Sequence, residues 1–291
     1  MKKKYNIEPW LFVSPAFIVY ALIVIIPIVW STYYSLFDWT GIGRMKFVGL
    51  KNFQKQFTDT TFHSVILNNF AYTFINTIMQ IVIGILLAIL IMNIAKGKDL
   101  IKTLYFTPCI VSSIAICQVF EKLFSKEPLG VVNALLSGLG AESWQRAFTA
   151  DPKLSLLVVS FVEFYKWSAL YMIIYYSAFI SISEDIIEAS VIDGARGWQQ
   201  YAYIRMPLIK NIVFITLVMI VNGTLKGFDV PYILTNGGPG YSSELVATYM
   251  YKQLFTQMNY GYGSSLAMFL VVECLIAVGI IGLLSPKESD V

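Results

Sequence analysis

The stretch EASVIDGARGWQQYAYIRMP, residues 188–207, reads as a short helix, a glycine turn and a second short helix that meets a proline, with long apolar runs on either side. Ser183 is suited to cap the first helix, Glu184 and Asp185 favour its first turn through the helix dipole, and Gly194 supplies the left-handed residue that ends it. These signals predict a helix of about ten residues. Within it Ile186, Ile187, Ala189, Ser190 and Val191 are apolar or small, and Glu188 and Asp193 are polar. A second helix is expected from about Trp198 to Arg205, ended or kinked by Pro207. Helices this short have too little packing of their own to stand alone, so the segment must rest on the bilayer surface, on its own bundle or on a partner.

The flanking runs set the fold class. The chain is 57% hydrophobic and only 13% charged over 291 residues, far too apolar for a soluble domain of that length. Six segments, near 11–37, 68–95, 101–124, 153–182, 211–234 and 263–284, meet the requirement of about 20 predominantly apolar residues for crossing the hydrocarbon core. Backbone groups cannot stay unpaired in lipid, so the crossings are expected to be helices and the protein an all-α, polytopic membrane protein with six transmembrane helices. No linker, low-complexity tract or strong internal repeat interrupts the pattern, so residues 1–291 are expected to form a single membrane domain. The apolar run after MKKK is too long for a secretory signal and lacks a small-x-small site, which predicts an uncleaved first helix.

Positive charge orients the crossings. Lys2, Lys3 and Lys4 precede the first, Lys96, Lys98 and Lys102 fill the tight second connection, and Arg196, Arg205 and Lys210 lie on the fourth. The positive-inside rule then places both termini and the loop at 182–210 in the cytoplasm. The connections near 38–67, 125–152 and 235–262 fall outside, with GGPG (237–240) among them.

Charges inside the crossings are costly unless they face protein or water. Glu163 and Lys166 lie three apart, share a face and are placed to pair; Lys226 and Asp229 have the same spacing, and Glu273 stands alone as an expected interhelical partner. One reading is structural pairing, favoured for Asp229. The other is a polar lining for a solute path, in which Trp167 beside Lys166, and Asn222 and Thr224 near Lys226, offer a flat ring and hydroxyl partners suited to a sugar. Trp30, Tyr33, Tyr34, Trp39, Tyr175 and Tyr176 are expected to be interfacial anchors, and His63 a loop residue.

Several chemistries drop out. Cys109, Cys117 and Cys274 lie in apolar stretches and His63 is the one histidine, so neither a disulfide framework nor a zinc cluster can be assembled. There is no GxxxxGK[ST], so no phosphate cradle, and TNGGPG reads as a surface turn. No HExxH or paired intramembrane aspartates support an embedded enzyme. A secondary transporter or channel remains the alternative to a driven transporter.

The opening stretch carries a resemblance. Glu188, Ala189, Gly194, Ile204 and Pro207 match the EAA signature of ABC importer permeases: Glu-Ala-Ala, three residues, Gly, nine residues, Ile, one residue, Leu-Pro. Ser190 and Met206 are the departures. FVGLKNF (47–53), GVVNALLSGLG (130–140) and GFDVPYILTNGGPGYSSELVATYMYKQLF (227–255) resemble the carbohydrate-importer branch, in particular the first permease of its heterodimers.

That resemblance implies a type I importer permease fold in a prokaryotic cytoplasmic membrane. It implies a coupling helix seated in a cytosolic ATPase, with Glu188, Ala189, Ser190, Asp193, Gly194, Ile204 and Pro207 as coupling residues. The sugar pocket of maltose-type relatives lies about where Glu163 to Leu170 and Ile220 to Thr224 fall, which gives Glu163, Lys166, Trp167, Leu170, Asn222, Thr224 and Lys226 as candidate pathway residues. The implied partners are a second permease subunit, two ATPase subunits, an extracytoplasmic binding protein and a sugar-like solute, with no nucleic acid. The chain would bind no cofactor and catalyse nothing itself, ATP and Mg being held by the ATPases.

Overall fold

Apolar runs that exclude water leave the backbone no partner but itself, and the chain answers with helices of very different lengths. A computed structural model describes residues 8–285; Lys2, Lys3 and Lys4, which contribute to the expected orientation, lie outside the described residues. Helix α1 (Glu8–Tyr20) passes through a π-helical turn, Ala21–Ile25, into α2 (Ile26–Tyr34). The widened turn stands directly before Pro27, whose missing N–H leaves one ladder bond unmade. Strands β1 (Phe37–Asp38) and β2 (Lys46–Phe47) pair antiparallel, Phe37 opposite Phe47. Next come α3 (Lys51–Thr58), the long α4 (Thr60–Met92), α5 (Lys98–Ile110), α6 (Ser113–Phe124), α7 (Val131–Gly138) and α8 (Ser155–Ile180). The chain continues through α9 (Glu184–Ile192), α10 (Trp198–Gln200), α11 (Met206–Leu208), α12 (Lys210–Leu225), α13 (Asp229–Thr235), α14 (Val246–Tyr251) and α15 (Tyr260–Leu284).

Two compact units result, one of the chain up to Thr60 with Met250–Val272, the other of Thr61–Tyr249 with the chain from Glu273. In the first, Asn52 Nδ2 donates to the carbonyls of Ser35 and Phe37, both at 2.8 Å, and the Tyr262 hydroxyl donates to Asp59 at 2.7 Å. Trp39 packs its ring between those of Tyr34 and Tyr260. In the second, one apolar cluster gathers Tyr72, Cys117, Val159, Val162, Val230 and Leu245, and another gathers Ala88, Met172, Tyr175, Phe179, Ile209 and Ile220. Both are built around α8, which is buried along most of its length.

Among the described residues, four helices are long and apolar enough to cross a membrane: Leu11–Tyr34, Thr60–Met92, Ser155–Ile180 and Tyr260–Leu284. Six crossings are reached when two bent pairs each count as one. The expected third span is not one rod: α5 and α6 meet at 96° across Val111 and Ser112. The expected fifth span is shorter than 211–234, since α12 ends at Leu225 and α13 is separate. The second begins earlier than expected, at Thr60, so His63 lies on the exposed side of a helix and not in a loop. Tyr175 and Tyr176 are buried rather than interfacial, the Tyr175 hydroxyl meeting that of Thr216 at 2.7 Å.

Candidate functional site

The loop after α8 is folded as its residues dictate. Ser183 Oγ accepts from the Asp185 amide at 3.3 Å, and Glu184 and Asp185 occupy the first turn of α9. At the other end the Gly194 amide donates to Val191 and the Ala195 amide to Ser190, closing the helix with Gly194 at φ +90°. No atom lies within 4 Å of where a Cβ on Gly194 would stand, so glycine is required there by backbone conformation alone. Ser190, at the second alanine position of the signature, is buried; its hydroxyl donates to the Ile187 carbonyl at 2.7 Å and accepts from Gln200 Nε2 at 3.3 Å. That side chain ties α9 to α10.

The second helix runs further than expected. Pro207 does not stop it: a π-helical turn, Tyr201–Arg205, precedes the proline as another precedes Pro27, and the path breaks only at Ile209, where α12 leaves at 70°. Asn93 Nδ2 donates to the Tyr201 hydroxyl at 3.3 Å, anchoring the loop to the residue that follows α4. Glu188, Ala189, Asp193 and Pro207 are exposed, and Ile204 is half-buried. Ile192 at 86%, Trp198 at 71% and Tyr203 at 74% are exposed on the same loop, large apolar side chains on a segment that also carries exposed carboxylates.

The pathway candidates gather elsewhere in the same unit. Gln80, Glu163, Trp167, Leu170, Tyr171, Ile220, Gly223 and Thr224 line a cavity of about 220 Å³. A second of about 200 Å³ shares Glu163, Trp167 and Gly223 with it, and adds Lys166, Lys226, Gly227, Phe228 and Asp229. The spacing of 163, 166, 167 and 170 on α8 accounts for the shared wall, since residues three and four apart fall on one helical face. Asn222, half-buried, lines neither cavity, and the Thr224 hydroxyl donates to the Ile220 carbonyl at 2.8 Å.

Neither expected ion pair forms. Ion pairs do form elsewhere, as between Lys102 and Asp99 and between Arg146 and Asp151. Lys166, only 8% exposed, instead donates to Ser113 Oγ, and its ammonium lies 5.0 Å from the Trp167 ring centre. Ser113 donates onward to Asp229 Oδ2 at 3.2 Å. Asp229 is thus a structural partner, as expected, but through the first residue of α6 and not through Lys226, which is exposed. Glu273 does find an interhelical partner: Asn69 Nδ2 donates to its carboxylate at 3.3 Å. Gly223 falls within the expected stretch Ile220 to Thr224, whereas Gln80, Ser113 and Tyr171 lie outside both expected stretches and, being uncharged, carry no local signal that would mark them.

Long apolar helices, a polar cavity among them and an exposed helical loop together define a membrane transport subunit. The chain belongs to the family of binding-protein-dependent transport system inner membrane components, which matches residues 66–290. It is 33% identical over 278 residues to the probable ABC transporter permease protein YurN of Bacillus subtilis (strain 168), with 94% of each chain covered. It is 29% identical over 277 residues to the lactose transport system permease protein LacF of Rhizobium radiobacter, covering 94% of this chain and 92% of that one. Its fold matches, at a TM-score of 0.84 and 22% identity over 96% of both chains, a bacterial ABC transporter involved in the import of the acidic polysaccharide alginate.

Proposed function

We propose that this chain is the non-catalytic, membrane-spanning subunit of an ATP-driven importer. It moves a sugar or related polyhydroxylated solute, received from an extracytoplasmic binding protein, past the cavities walled by α8 and α12. The observation that carries the solute reading is the shared wall: Glu163 supplies a hydrogen-bonding group and Trp167 an apolar ring face to both cavities, and Lys166, within the same turn of helix, adds its ammonium to the second. The name of the lactose relative supports a carbohydrate.

In this reading the loop from Ser183 to Ile209 is cytoplasmic and docks on an ATPase, and a second permease subunit completes the path. The density of Lys96, Lys98 and Lys102 between α4 and α5, and of Arg196, Arg205 and Lys210 after α8, supports that orientation and cytoplasmic termini. ATP and Mg act on the ATPases; this chain has no phosphate-cradling loop of its own. Closure of the ATPases moves α9, and because Ser190 and Tyr201 tie the loop into one piece, the push reaches α12 and shifts the population between inward- and outward-facing states.

The test is reconstitution in proteoliposomes with the partner permease, ATPases and binding protein. ATP hydrolysis is expected to rise severalfold when the binding protein carries lactose, maltose or a comparable sugar. Uptake by this chain alone, without ATPases, would instead establish the secondary-transporter reading.

A further inference from the structure

Helix α4 carries a row of polar residues that the pathway reading does not use. Asn69, Thr73, Asn76 and Gln80 follow one another at helical spacing, continued by Gly84, and all are buried. The opposite side of the helix is apolar and open, with Ile78, Val82, Leu86 and Leu90 exposed. Asn69 and Asn76 are used internally through their amide nitrogens, whereas Asn69 Oδ1 and the Thr73 hydroxyl are buried without a hydrogen-bond partner among the described residues. Asn69 Nδ2 reaches the Leu225 carbonyl and Glu273, Asn76 Nδ2 donates to the Tyr72 carbonyl at 3.1 Å, and Gly84 leaves room for the Tyr175 ring.

Gln80 differs. It is 2% exposed and alone of the row lines the 220 Å³ cavity, across from Glu163, Trp167 and Thr224. Its amide nitrogen donates to Asn76 Oδ1 at 3.4 Å, and its amide oxygen accepts no hydrogen bond among the described residues. That oxygen is not among the fully buried side-chain atoms left without a partner, so it opens onto the cavity and is free to accept a hydrogen bond from what enters it. We infer that Gln80 is a specificity-determining residue of the solute path, a third wall contributed by α4 that accepts a hydrogen bond from a solute hydroxyl. The inference rests on the proposed identity of the cavity and names what it selects: Glu163 and the Gln80 oxygen accept, the Trp167 indole N–H donates, the Tyr171 hydroxyl does either and the Thr224 hydroxyl donates to its own helix, so the cavity suits a solute with several hydroxyl groups, each able to donate and to accept.

The experiment uses the whole reconstituted transporter with Cys109, Cys117 and Cys274 replaced by serine. Gln80→Cys and, as the control on the apolar side, Val82→Cys are treated with a cationic, membrane-impermeant methanethiosulfonate. Modification at position 80 is expected to be at least about tenfold faster than at 82 and to change when the ATPases are trapped with ATP and vanadate; equal rates at the two positions overturn the cavity assignment. Uptake of radiolabelled lactose, maltose and cellobiose then reads specificity. For a sugar that is carried, Gln80→Leu raises KM about tenfold, the loss of roughly one hydrogen bond, and Gln80→Asn recovers part of it; an unchanged KM in Gln80→Leu overturns the specificity role. Should no sugar be carried while position 80 labels as expected, it is the solute class proposed above that fails.

Discussion

Gly194 shows how much a single residue settles in this chain. Its φ of +90° is a conformation that a side chain resists, and the open space around it removes any steric clash as a second cause. Substitution therefore acts on the shape of one turn and on nothing packed against it. Gly194→Val is expected to insert and assemble normally while the ATP hydrolysed per solute moved rises severalfold, because α9 and α10 no longer hold a fixed angle; Gly194→Ala should show the same change more weakly. Counting hydrolysis against uptake in proteoliposomes checks this, and normal coupling in Gly194→Val would contradict the requirement for that turn. The residue was legible in advance because a helix cap and a left-handed turn are local events written in a few adjacent positions. Gln80 was not, since nothing in an isolated helix says which neutral amide will meet a cavity.

Between elements, legibility fell wherever a break changed the register. Residues 226 and 229 share a face only if the helix continues through them, and it does not: α12 ends at Leu225, and Lys226–Phe228 form the connection to α13. Glu163 and Lys166 do share a helix, yet the ammonium goes to Ser113, which is within reach because α5 and α6 meet at 96°. That bend is a tertiary fact, hinted at by Pro108 in the last turn of α5 but not dictated by it. The chain of contacts from Lys166 through Ser113 to Asp229 joins α8, α6 and α13 and should behave as one unit. Lys166→Met is expected to lower the melting midpoint of the detergent-purified complex by a few degrees, corresponding to roughly 1–2 kcal/mol for the loss of a hydrogen bond from a charged group. Adding Ser113→Ala should then cost little more, because the bridge is already broken. Fully additive losses in the double variant would show that the two side chains act independently.

For the whole molecule, what remains is to decide what covers each apolar surface. The span Leu11–Tyr34, with none of its most apolar window buried, has the uniform apolar surface that lipid satisfies. The group at Ile192, Trp198 and Tyr203 is different. A helix lying on a bilayer presents a basic face to anionic headgroups, whereas α9 and its cap carry Glu184, Asp185, Glu188 and Asp193, all exposed. Arg196, Arg205 and Lys210 follow on the same loop, but α9 itself presents carboxylates and no basic face, so its apolar residues suit a protein partner better than an anionic surface. Replacing Ile192, Trp198 and Tyr203 together by serine removes that apolar anchor without touching Gly194, Ser190 or the bond between Asn93 and Tyr201. The variant is expected to reach the membrane in normal amount and to copurify with the ATPases at least about tenfold less well, each large anchor contributing on the order of 1–2 kcal/mol. Addition of phosphatidylglycerol to the vesicles should not alter the outcome. Undiminished ATPase binding would mean that the anchor lies elsewhere, and rescue of the wild-type contact by anionic lipid alone would assign the loop to the membrane surface.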